Sequence, residues 1–171
     1  MPTHLLITAF GPDRPGIISE LSNLISLHGG NVEESRMTNL GNEFAILLLA
    51  KIQNNQLNSL KNHFKEFKGL SIHTKSTISS MPIDGLEYVI YLVGADHEGI
   101  IAGLAKYLSH NSINIYEMVT NTTHAPSTGT ILFNMKANIT LPQNINLNKI
   151  KSELKHIASD LSVDIKIEKL D

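Results

Sequence analysis

The chain of 171 residues contains no cysteine, so disulfides, thiolate metal sites and a cysteine nucleophile are excluded and stability must rest on packing. Basic clusters are missing as well. Lys and Arg total 14 against 16 Asp and Glu, a formal charge of -2, and the lysines between Lys61 and Lys68 fall at spacings that put them on the wet face of a helix. Duplex DNA binding leaves a basic face as its footprint, and this sequence carries none. No apolar stretch approaches the roughly 20 residues of a membrane-spanning helix. Nor does Met1-Pro2-Thr3-His4 read as the basic start of a signal peptide, so the expected compartment is the cytoplasm and no membrane partner is expected. Catalytic motifs are thin too. There is no G-x-S-x-G elbow, H-E-x-x-H pair or phosphate-binding G-x-x-x-x-G-K-[ST]; Gly94 to Gly99 has the glycine spacing but runs into Ile100-Ile101. The eight histidines never fall at ligand spacing within one helix and read mostly as surface residues, so no metal, no cofactor and no enzymatic activity are expected.

What is present is a repeat. At an offset of 83, Leu5 to Arg36 aligns with Tyr88 to Val119 without a gap, and ten positions match, among them Gly11/Gly94, Asp13/Asp96, Gly16/Gly99, Ile17/Ile100, Asn31/Asn114 and Glu34/Glu117. The second copy then carries the longer stretch Asn121 to Thr130 where the first has a tight turn around Gly41. Residues 1–79 and 87–171 are therefore expected as two domains joined by a linker over 80–86, in the Pro- and Gly-broken stretch Ser79 to Gly85.

Each copy has the same order of elements. Leu5–Phe10 and Tyr88–Val93 read as central strands. Ile17, Ile18, Leu21, Leu24 and Ile25 form one helical stripe, repeated by Ile100, Ile101, Leu104, Tyr107 and Leu108, and His28-Gly29-Gly30 supplies a helix stop. Val32–Leu40 and Phe44–Lys51 read as a hairpin closed by Gly41-Asn42, with counterparts Ile113–Thr122 and Thr130–Ala137. A second helix follows in each copy, through Leu57, Leu60, Phe64 and Phe67 or through Leu147, Ile150, Leu154, Ile157 and Leu161, with Asn54 and Asn146 as expected caps. Alternating strands Ile72–Ile78 and Val163–Ile167 close the copies. The pattern βαββαβ, twice, predicts an α+β protein of two ferredoxin-like domains, each an antiparallel four-stranded sheet with both helices on one face.

The connection Gly11-Pro12-Asp13-Arg14-Pro15-Gly16 between the first strand and helix has two readings. In one it is a well-capped turn, with Asp13 accepting bonds from the helix-opening amides and Pro15 beside the first turn. In the other, the free amides bounded by glycine form a small donor site for a carboxylate, Asp13 or a neighbouring Asn holds an amino group, and Arg14 meets either the ligand or an exposed salt-bridge partner. Asn31 and Asn114, at the starts of the second strands, are turn residues or polar lining. Glu34 and Glu117 are strand-face residues or a paired acid.

The runs "ITAFGPDRPGI", "GGNVEESRM" and "LGNEFAILLLA" resemble ACT domains, and among them the tandem ACT repressors of the glycine cleavage system. The resemblance implies a non-catalytic sensor that binds an amino acid, glycine being the suggested ligand, near the first strand-to-helix loop and the start of the second strand. It implies repression through binding a LysR-type activator protein, no direct contact with nucleic acid, and self-association through sheet or helix faces. The site it points to is Gly11, Asp13, Arg14, Pro15, Gly16, Ile17 and Asn31, with Asp96, His97, Gly99, Ile100 and Asn114 in the second copy. That copy has His97 and Glu98 in place of Arg14 and Pro15, so two equivalent sites are not expected. The alternative is a free-standing ACT pair that modulates a metabolic enzyme. A third reading, a small hydrolase or transferase built on Asp13 and His97, finds no supporting motif.

Overall fold

The computed structural model describes residues 2–78, 85–143 and 145–170. The chain divides into two compact units, Met1–Met81 and Pro82–Asp171. The expected linker positions from Ser79 to Asp84 lie outside the described residues. Unit 1 runs β1 (Pro2–Pro12), α1 (Ile17–Leu27), β2 (Asn31–Leu40), β3 (Glu43–Gln53), α2 (Asn54–Glu66), β4 (Ser71–Thr77). Unit 2 repeats it with β5 (Leu86–Ala95), α3 (Ile100–His110), β6 (Asn114–His124), β7 (Ile131–Leu141), α4 (Leu147–Asp160), β8 (Val163–Lys169). Both sheets are antiparallel with the order β2-β3-β1-β4 and β6-β7-β5-β8. This is the ferredoxin-like arrangement that the repeat predicts.

Alternation places one face of each sheet under the helices. In unit 1, Leu5, Ile7 and Ala9 of β1 and Ile46, Leu48, Ala50 and Ile52 of β3 are buried together with Ile17, Leu21, Ile25, Leu60 and Phe64 of the helices. Unit 2 builds its core from Ile90, Leu92, Ile100, Leu104, Leu108, Ile139, Ile150 and Leu154. Each fully buried aliphatic side chain contributes about 1.5–3 kcal/mol, so these clusters are the dominant stabilising term.

The strands extend beyond the apolar runs. β1 pairs with β3 from Pro2↔Gln53 to Pro12↔Glu43, so its length follows the hydrogen-bonded ladder rather than its side-chain hydrophobicity. The repeat also includes a defect: β2 bulges between Val32 and Glu34 and β6 between Ile115 and Glu117, leaving Glu33 and Tyr116 as the extra residues at equivalent places. Helix α1 ends at His28 with Gly29 at φ 65, and α3 ends at Asn111 with Ser112 at φ 55, so the second copy places a serine in the left-handed conformation.

Two cap expectations separate here. Asn146 caps α4, its Oδ1 accepting from the amides of Asn148 at 3.0 Å and Lys149 at 3.3 Å. Asn54 does not cap α2: the cap position is Gln53, extended and without a side-chain bond, and Asn54 is the first helical residue, its side chain bonded to the Thr3 hydroxyl. Most of the histidines lie at the surface as expected, and one departs from that majority. His28 is buried between α1 and α2, bonded to the Leu24 carbonyl at 2.8 Å, to Ser59 Oγ at 3.2 Å and to His63 Nδ1 at 3.0 Å. An imidazole fits there because both ring nitrogens find partners.

Candidate functional site

β1 carries the chain to the end of the sheet, and only Asp13, Arg14, Pro15 and Gly16 separate it from α1. The two glycines of this corner do different things. Gly11 allows close approach: a Cβ there would lie 2.3 Å from the Gly69 carbonyl oxygen and 3.0 Å from Leu70. Gly16 supplies the backbone conformation, with φ 94 at the cap of α1, a left-handed value that side chains resist. In unit 2, Gly99 sits at φ 90 at the cap of α3, and a Cβ on Gly94 would lie 2.5 Å from Val163.

Asp13 does not cap α1. The cap residues of α1 and α3 are Gly16 and Gly99, which bring no side chain to the helix start. The Asp13 carboxylate instead accepts from Asn39 Nδ2 at 2.8 Å, near the end of β2. Asn39 pairs with Phe44, which pairs with Gly11, so the ladder itself brings the amide to the corner. The carbonyl of Gly16 takes the amide of Glu20 at 2.9 Å, so the amides of Ile17, Ile18 and Ser19 precede the first helical bond and point outward from a uncapped helix start. Such a start is a positive, donor-rich end.

Arg14 is engaged by its own helix. Its guanidinium donates two parallel bonds to the Glu20 carboxylate, at 2.6 and 2.7 Å, with both side chains largely in solvent. The hydrogen bond to Glu20 raises the Arg14 pKa, and the same bond holds Glu20 below the ordinary carboxylate value. The corner thus gathers Gly11, Asp13, Arg14, Pro15, Gly16 and Ile17 with Asn39 and Glu20. Sequence reading missed the last two. Asn39 was hidden because its partner lies 26 positions away, whereas Glu20, six residues after Arg14, was open to view on the first turn.

Asn31 is not part of that corner. It pairs with Lys51, which pairs with His4, at the far end of the sheet. From His4 to Pro12 the strand rises on the order of 25 Å, so within unit 1 no small molecule touches both Asn31 and the loop. Asn114 has the same place in unit 2, in line with Thr140 and Glu87. Glu34 pairs with Arg36 at 3.2 Å, and Glu117 accepts from Asn138 at 2.6 Å.

The second corner is held differently. The Asp96 amide donates to the Ile131 carbonyl at 3.0 Å, and the His97 ring lies between two carbonyls, Glu98 O at 3.0 Å from Nδ1 and Leu161 O at 2.7 Å from Nε2. Those two carbonyls raise the His97 pKa above its ordinary value. Elsewhere, the helix-free face of the unit 1 sheet has an open apolar depression of about 250 Å³ around Leu6, Leu47, Leu49 and Ile78. It is lined by none of the corner residues. Among the described residues, no group of three or more His, Asp or Glu is placed to hold a metal ion, and no helix is long and apolar enough to cross a membrane.

A family model, the ACT domain, matches residues 3–74, which span β1 to β4. Unit 1 is an ACT domain. Unit 2 repeats its topology, so the chain is a tandem of ferredoxin-like domains. In sequence the chain is similar to the glycine cleavage system transcriptional repressor of Escherichia coli, at 24% identity over 163 residues, covering 93% of this chain and 86% of that protein. In structure it is similar to an unknown protein from Galdieria sulphuraria, with a TM-score of 0.84 and 28% identity over the whole of both chains. A candidate glycine cleavage system transcriptional repressor of known structure superposes with a TM-score of 0.74 at 21% identity, covering 100% of this chain and 99% of that one, which speaks for the fold.

Proposed function

We propose that this ACT tandem is a non-catalytic regulator that senses an amino acid, and that it acts as a glycine cleavage system transcriptional repressor by binding a LysR-type activator protein. The observation that carries the reading is the likeness to the Escherichia coli repressor along nearly the whole chain, together with the ACT match of unit 1. The geometry of the first corner supports it. A zwitterion needs donors for its carboxylate and an acceptor for its ammonium. The amides opening α1 supply the first, and Asp13, held by Asn39, supplies the second. Arg14 is a further carboxylate donor, engaged by Glu20 until a ligand competes for it. The second corner, with His97 turned to Leu161 in place of a guanidinium, is the weaker site on this reading.

Calorimetric titration of the full chain with glycine, serine and the remaining amino acids tests the sensing half. Saturable heat with one of them, reduced at least tenfold in affinity by Asp13→Ala, supports the site; flat traces for all remove the sensing role. Reconstitution with the purified LysR-type activator tests the other half. A complex whose amount responds to that amino acid supports repression by protein contact. A sensor that binds its amino acid but leaves the activator untouched would be a modulator of some other protein.

A further inference from the structure

We propose that His97 is a proton-operated latch that ties the β5–α3 corner of unit 2 to the C-terminal end of α4. This inference is independent of amino-acid sensing. It concerns how one corner is held, and it applies with or without a ligand.

The geometry assigns the protonation state. Nδ1 faces the Glu98 carbonyl at 3.0 Å and Nε2 faces the Leu161 carbonyl at 2.7 Å. Carbonyl oxygens only accept, so both ring nitrogens must donate, and only the imidazolium has two N–H groups. In the neutral ring one nitrogen becomes a lone pair aimed at an oxygen lone pair, and one of the two bonds turns repulsive. The side chain is exposed to solvent, so the proton comes and goes freely.

The surroundings favour the charged state. Leu161 is the C-cap of α4, where unpaired carbonyls gather partial negative charge. The last turn of α4 contains no basic residue, whereas the matching helix α2 has its own His63 and Lys65 there. His97 brings from another element the positive charge that α4 lacks. The charged groups along the neighbouring segments are mostly acidic: Asp96 and Glu98 in its own loop, Asp160 just before Leu161 and Asp164 at the start of β8. From α3, whose Gly103 faces the Leu161 side chain, the first charged group is Lys106, one turn further on; on α4, Lys155 and His156 lie more than a turn before the cap.

Unit 1 has no such device. The residue equivalent to His97 is Arg14, charged at every physiological pH and bonded to its own helix through Glu20. Two corners of one repeat are therefore set differently, one by a cation charged throughout the physiological range and one by a histidine proton. The sign follows from the raised pKa: the latch is complete below the ordinary histidine value of about 6.5, and is lost as pH rises through the folded value.

An NMR titration of the intact chain tests this directly, with the His97 ring signals assigned by their loss in His97→Asn. The expected result is a His97 midpoint above the ordinary value, with the amide signals of Glu98, Gly99, Leu161 and Ser162 moving at the same midpoint. Solvent exchange of those amides, corrected for its intrinsic pH dependence, should rise at least threefold across the transition. His97→Gln should abolish the pH-dependent step at Ser162. A His97 midpoint at or below the ordinary value overturns the proposal, as does a normal titration that leaves the Leu161 and Ser162 amides unmoved. The wild-type titration decides the matter even if the variants fold poorly.

Discussion

Gly11→Ala should destabilise unit 1 by roughly 1–3 kcal/mol, and its neighbour Gly16→Ala by a different mechanism and a smaller amount. A methyl group on Gly11 would stand 2.3 Å from the Gly69 carbonyl oxygen and within 3.3 Å of Leu70 Cα, so backbone on one side or the other must move by close to an ångström. Neither partner is a free side-chain end: β1 is an inner strand, paired through Gly11↔Phe44, and Leu70 leads into β4. At Gly16 nothing lies nearer than the Glu20 carboxylate at 3.5 Å, and the penalty is the left-handed backbone alone, about 1–2 kcal/mol, partly offset by some 0.4–1 kcal/mol of lost unfolded-state entropy. Urea unfolding measures both. All four tyrosines, at 88, 91, 107 and 116, belong to unit 2, so tyrosine fluorescence follows that unit while far-UV circular dichroism follows both. With a urea slope of about 1–2 kcal/mol per molar for a small domain, Gly11→Ala should lower the midpoint of unit 1 by on the order of 1 M. A Gly11→Ala midpoint equal to that of the unsubstituted chain would refute the close-approach account of this glycine.

Further outcomes follow from the same contacts. Asn146→Ala removes the two cap bonds of α4 and should cost about 1 kcal/mol, whereas Asn54→Ala removes no cap and should stay within about 0.5 kcal/mol; thermal unfolding of the two variants compares them. Glu20→Gln leaves Arg14 without its anionic partner and should raise the affinity of the first corner for an amino acid carboxylate several-fold by calorimetry; an unchanged affinity would remove Arg14 from the clamp. Because Glu20 is held below its ordinary value, its bond to Arg14 should be complete above about pH 4.3 and lost as pH falls through the lower folded value, which the Glu20 side-chain carbonyl signal reports.

The architecture was legible because the chain states it twice. Ile17, Leu21 and Ile25 are buried in one unit and Ile100, Leu104 and Leu108 in the other, at the same offset that aligns the sequences. The loop was legible as a device but not in its wiring. Asp13 is a good helix cap by residue type, yet the ladder delivers Asn39 to it from 26 residues away, and that bond wins. Asn54 failed as a cap for a related reason: β3 runs two residues past Lys51, which moves the cap to Gln53. Asn31 was read as polar lining toward the opposite end of the sheet edge, and register keeps it there, away from the loop. His28 was legible as part of a helix stop but not as a buried group; its burial depends on Ser59 and His63, supplied by a helix that local pattern does not bring near.

The decisive measurement for the sensing account is a backbone NMR titration of the full chain with glycine and, separately, with serine. The account predicts saturable shifts centred on the amides of Ile17, Ile18 and Ser19 and on the side-chain amide of Asn39, with smaller changes at Ile100 to Ala102. Shifts confined to other parts of the chain, or none with any amino acid, would contradict it.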